Sequence, residues 1–83
     1  MAMLKHEVWK DADGLPTCCL AGPDGAGARA LVGDGARLVW TFEAACHFEA
    51  MSKYNELLGR GPYTTDQPSD YEPYPEDWRR RQG

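Results

Sequence analysis

Apolar and polar positions alternate over residues 4–10. His6 and Val8 point to one face and Glu7 and Trp9 to the other, and this period of two in β-forming residues predicts a strand. Asp11, Ala12, Asp13 and Gly14 read as a turn, with Gly14 where a positive φ is wanted, before Leu15 and Pro16. The run Thr17-Cys18-Cys19-Leu20-Ala21 is a second short apolar segment, and the two runs predict an antiparallel hairpin. Gly22 to Gly27 is a loop by composition. Residues 28–32 allow a helical turn or two, closed by Gly33, and Asp34-Gly35 turns the chain again.

Residues 37–42 give the clearest strand. Simple alternation puts Leu38, Trp40 and Phe42 on one face and Val39 and Thr41 on the other, which predicts a central strand anchoring the core. Residues 43–58 give the clearest helix. Thr41 is the expected N-cap, Glu43 falls in the first turn, and Gly59 sits at the C-terminal end before Arg60-Gly61-Pro62 stops it. At 100° per residue, Ala44, His47, Phe48, Met51, Tyr54, Asn55 and Leu58 share one side. Glu49, Lys53 and Glu56 lie opposite, with Glu49 and Lys53 in the favourable i,i+4 order.

The pattern changes at Pro62. Pro62, Pro68, Pro73 and Pro75 alternate with acidic residues and with Tyr63, Tyr71, Tyr74 and Trp78. Proline at this spacing forbids a continuous helix and favours extended chain. A disordered segment is usually poor in aromatics, so this tail expects a surface to pack against. The expected architecture is α+β: a small antiparallel sheet, a hairpin plus a third strand, packed by one main amphipathic helix, with a short extra helix allowed and an extended C-terminal tail. The division falls into a domain over residues 1–61 and a tail over residues 62–83, packed on the body to about residue 78.

Composition narrows the function classes. The chain of 83 residues supports one small core. Such a core leaves roughly 3–5 kcal/mol of net stability, which makes self-association or a docked tail attractive. A net charge of −4 disfavours nucleic acid, and the short basic run Arg79-Arg80-Arg81 reads as a solvated end of the chain. No stretch approaches the roughly 18 apolar residues of a membrane span, and charges near the start of the chain stand where a signal peptide needs an apolar run. Three cysteines without framework spacing fit a reducing compartment, so the expected location is the cytoplasm.

Candidate chemistry centres on His47. On a helix beginning at residue 43, Glu43 lies one turn earlier and could orient its imidazole, with Trp40 and Tyr54 as apolar walls of a ligand pocket between sheet and helix. The plainer reading is a histidine hydrogen-bonded at the core's edge. Cys46 and His47 point about 100° apart on one helix and form no dyad. His6, Cys18, Cys19, Cys46 and His47 lack zinc-site spacing, and the glycine-rich segment over residues 22–35 lacks the Lys-Ser/Thr of a phosphate loop. No metal or cofactor is expected. The tail aromatics Tyr71, Tyr74 and Trp78 are candidate partner-binding residues, with docking on this chain's own body as the favoured, plainer reading.

His47-Phe48-Glu49-Ala50-Met51, Tyr63-Thr64-Thr65-Asp66 and Pro73-Tyr74-Pro75-Glu76-Asp77-Trp78 together resemble a family of short uncharacterised bacterial proteins. The likeness runs from the Thr17–Ala21 segment to Trp78. It implies a bacterial source and a tail native to the protein, and no activity is attached to that family. The resulting expectation is a non-enzymatic protein-interaction module, binding itself or another protein and neither nucleic acid nor membrane. Its rival is a small-ligand-binding protein or enzyme with a pocket near His47.

Overall fold

The first hairpin forms as its alternation demands. In the computed structural model, which describes residues 2–82, β1 (Leu4–Lys10) pairs antiparallel with β2 (Pro16–Leu20), Val8 opposite Cys18. Asp11 fixes the turn, its carboxylate accepting the Asp13 and Leu15 N–H groups at 2.9 Å each, and Gly14 takes φ +83°. A 3-10 turn (Pro23–Gly25) leads into α1 (Ala26–Val32), which Gly33 ends at φ +82°.

β3 (Arg37–Ala44) then pairs with β1 rather than β2, so the strand order is β2-β1-β3. The centre of the sheet is therefore β1, and the expectation of a central third strand is corrected: β3 is an edge. A bulge explains the mismatch. The register passes from Val8 opposite Trp40 to Trp9 opposite Leu38, leaving Val39 as the extra residue. Trp40 and Phe42 keep the face of Val8 and His6, whereas Leu38 turns to the face of Trp9 and is 46 % exposed.

The helix α2 (His47–Leu57) begins later than residue 43. β3 runs on through Ala44, which is fully buried, so Thr41 is no N-cap and Glu43 is a strand residue. Cys46 is the N-cap, in extended conformation, and the Glu49 carboxylate reaches back to accept the Ala45 N–H at 3.0 Å. Ala50 is the buried residue of this helix, with no exposed surface. The Glu49–Lys53 pair forms at 3.7 Å on the open side.

Beyond α2 the tail departs from uniform extension. Pro68–Tyr71 is a 3-10 turn, and Glu76–Gln82 is a short helix, α3, with acids in its first turn and arginines in its last, as the helix dipole favours. Between them Pro73 bridges Cys46, Tyr74 bridges Ala2, and the Tyr74 N–H donates to the Ala45 carbonyl at 2.9 Å. Arg81 is not merely solvated: it pairs with Asp24 at 3.0 Å and Asp77 at 3.2 Å. Gln82 substitutes for a missing strand where β2 ends. It accepts the Lys5 N–H at 2.9 Å and donates to the carbonyls of Lys5 (2.8 Å) and Ala21 (3.1 Å).

The core is thin. Leu4 and Val8 are the largest fully buried side chains, supported by Ala2, Ala44, Ala45 and Ala50. Among the described residues no helix is long and apolar enough to cross a membrane.

Candidate functional site

Two surfaces carry the residues that chemistry would use. The first is a groove between the start of α2 and the tail. His47, Ser69, Glu72, Pro73, Tyr74, Pro75 and Trp78 line a space of about 380 Å³. A smaller space of about 200 Å³ adjoins it, sharing His47, Tyr74 and Trp78 and reaching His6, Cys18 and Met51 on the body.

His6 lines the smaller of these two spaces. It is 4 % exposed and stacks on Phe42, with ring centroids 5.0 Å apart and planes 2° from parallel. Its Nδ1 lies 3.0 Å from the Leu4 carbonyl and its Nε2 3.1 Å from the Tyr74 hydroxyl. A carbonyl only accepts, so Nδ1 carries the proton and the neutral ring's Nε2 accepts from the Tyr74 O–H. Burial is the main cause holding His6 below its ordinary pKa of 6.5; the Leu4 hydrogen bond opposes it, and the nearby His47 and Lys53 side chains add to the lowering. Burial likewise pushes Tyr74 up to about 12 and the Cys18 thiol up to about 11.

These directions set three contributions to the pH dependence of folding. An unfolded His6 takes a proton near pH 6.5 while the folded one resists it, so stability falls as pH drops below about 6.5. Folded Cys18 and Tyr74 resist losing their protons, so stability falls again above about pH 9, through about 11 for Cys18 and about 12 for Tyr74. Urea unfolding across pH should give a plateau between roughly pH 6.5 and 9. A stability that rises between pH 6.5 and 5.5 would contradict the neutral, buried His6.

The second surface is the outer edge of β3. Lys5 turns its N–H and carbonyl towards the β2 side, where Gln82 and Ala21 bond them. Backbone groups alternate along a strand, so those of Leu4, His6 and Val8 turn towards β3. Their partners Ala44, Phe42 and Trp40 turn back to β1, and Thr41 and Glu43 direct their backbone groups outward. The Lys53 ammonium reaches this edge and donates to the Glu43 carbonyl. Beside the edge, Trp40, Thr41, Phe42, Lys53, Glu56 and Leu57 line an open groove of about 520 Å³.

The residues proposed from sequence are thus divided. His47 is exposed and stands in the tail groove, 6.2 Å from the Tyr63 ring. Glu43 sits on β3 instead of one helical turn before His47, so the carboxylate–imidazole relation drawn on a longer helix is absent. Trp40 belongs to the edge groove, with the Lys10 ammonium 5.6 Å from its ring. Tyr54 is half-buried with the Arg60 guanidinium 5.8 Å from its ring, and burial raises its pKa.

The tail aromatics engage the body. Tyr71 stacks on Phe48 at 4.6 Å, and Tyr74 lies between His6 and Trp78, 5.7 and 5.9 Å from their rings. His6 gave a usable signal in sequence, since it shares the strand face of Val8. Arg29 gave none. Its guanidinium ties α1 to the Leu20 carbonyl at 2.9 Å, the Gly22 carbonyl at 2.6 Å and the Glu7 carboxylate at 3.4 Å.

Cys18, Cys19 and Cys46 are free thiols, and among the described residues no group of three or more His, Cys, Asp or Glu side chains is placed to hold a metal. Comparison with protein-family models, with curated proteins and with solved structures finds no match to this chain.

Proposed function

We propose that this chain is a small, non-enzymatic protein-interaction module whose working surface is the β3 edge, where an extended partner segment adds a strand to the sheet. The observation that carries this reading is Thr41, an exposed edge residue whose backbone groups point away from β1, beside a groove lined by Trp40 and Phe42. An unpaired N–H and carbonyl on an edge form a template for another strand. This proposal moves recognition from Tyr71, Tyr74 and Trp78 to the edge: Tyr74 contacts His6 and Trp78, and Tyr71 stacks on Phe48.

Thr41→Pro tests it. The substitution removes an outward N–H and spares the bonds between β1 and β3, a position where an edge strand tolerates proline. Tagged wild-type protein should capture a partner from source-cell extract or be heavier than a monomer in light scattering. Thr41→Pro should lose both, while Tyr71→Ala keeps them. A wild type that shows neither capture nor added mass removes the reading.

A second reading is favoured by the groove at His47, whose volume of about 380 Å³ lies within the range of small-ligand sites. There His47 and Glu72 supply polar contacts, and Trp78 and Tyr74 an apolar wall. Ligand-induced NMR shifts confined to these residues, lost in His47→Ala, support it; a fragment screen that moves none of them removes it.

A further inference from the structure

We infer that the partner of the β3 edge is a second copy of this chain, paired antiparallel about a two-fold axis at Thr41. The inference rests on the edge reading above and adds the partner and the register.

Two features restrict the pairing stretch. At one end the bulge at Val39 breaks the regular alternation, and at the other Lys53 occupies the Glu43 carbonyl. Thr41 stands between them with both backbone groups turned outward. Strands that slide freely need a long uniform edge, and this edge offers one short stretch centred on one residue. Two copies meeting there exchange Thr41 N–H and carbonyl bonds in both directions.

That register matches the side chains as well. With Thr41 opposite its own copy, Trp40 faces the partner's Phe42, and Phe42 faces the partner's Trp40. Trp40 and Phe42 lie on the same face of the sheet as each other, so all four rings meet on one side. They meet at a position where cross-strand side chains approach most closely, which favours aromatic pairs. The groove beside them is bordered by one cation, Lys53, and one anion, Glu56, so two copies bring no net charge together there. Leu57, 39 % exposed on its own, lies in the same groove and is covered in the pair. A shift of one residue in register would set aromatic faces against polar ones.

Thr41 is exposed, and its side chain projects from the sheet face opposite Trp40 and Phe42. A charge introduced at residue 41 therefore meets its own copy across the axis. Sedimentation equilibrium of the full chain should give twice the 9.2 kDa monomer mass at high concentration. Thr41→Lys and Thr41→Glu should each weaken association at least tenfold while keeping the wild-type circular dichroism. Mixed one to one, they should recover association as a heterodimer, which only a register placing residue 41 opposite itself allows.

A wild type that stays monomeric overturns the inference, as does a mixture no more associated than its parts. If the monomeric wild type still captures a partner through Thr41, the edge reading survives and only the second copy fails. If it captures nothing, both fail.

Discussion

Replacing Leu4 by alanine should cost about 2–5 kcal/mol, enough to unfold most of the protein at room temperature. Leu4 is fully buried on the central strand, and among the described residues only Val8 matches it as a large side chain with no exposure. Its cross-strand partner is Ala44, and Ala2, Ala45 and Ala50 are further buried residues of this small core, all with short side chains that have no rotamer to swing into a void. A cavity term therefore adds to the lost transfer energy. A chain of this size has roughly 3–5 kcal/mol of stability in total, so the loss is comparable to the whole. Urea unfolding should show no folded baseline for Leu4→Ala, while Leu4→Met, which conserves volume, should lose less than about 1.5 kcal/mol. A loss below about 1 kcal/mol for alanine would place the core elsewhere.

Gly25→Ala should destabilise by at least about 1–3 kcal/mol, for a steric rather than a conformational reason. The residue has φ −100°, open to any amino acid. A Cβ there would stand 1.8 Å from the Leu20 carbonyl oxygen and 2.8 Å from its carbon, both backbone atoms that cannot step aside alone. It would also meet Arg29 Nη1 at 2.9 Å, the atom that binds the same carbonyl. Either β2 separates from the turn or Arg29 loses its hold. Gly27→Ala, two residues on, should do the opposite. Nothing lies within 4 Å of its Cβ position, and alanine favours the helix by about 0.8–1 kcal/mol over glycine. Opposite shifts in unfolding midpoint are the expected result; equal shifts would contradict the close approach at Gly25.

The hairpin and the amphipathic helix were readable because alternation and turn chemistry agree there with tertiary packing. Gly14 marks the turn through its positive φ, and the Glu49–Lys53 pair follows from helical spacing alone. The start of α2 was hidden because Thr41 and Glu43 make a plausible cap and first turn, whereas Cys46, the residue that caps it, is not among the side chains that favour this position. Strand order was hidden for another reason. Leu38, Trp40 and Phe42 look like one buried stripe, and only pairing with β1 reveals the bulge that turns Leu38 away and leaves β3 at the edge.

The candidate sites depended on long-range placement. Tyr74 meets His6 across 68 residues, and Gln82 meets Lys5 across 77, distances over which no local pattern speaks. His47 kept its place beside a groove, but the tail supplies the other wall. Thr41 had no chemistry of its own in the sequence; its importance comes from the direction of its backbone at an edge.

The most direct measurement of the account is amide hydrogen exchange at Thr41 and Phe42 as protein concentration is raised. Phe42 directs its N–H to β1 and Thr41 away from it, so the two neighbours report on the sheet and on its open edge separately. Self-pairing predicts that Thr41 exchange slows progressively with concentration while Phe42 holds a constant protection. A Thr41 amide that exchanges at one rate throughout, in a protein whose Phe42 remains protected, would contradict pairing through this edge.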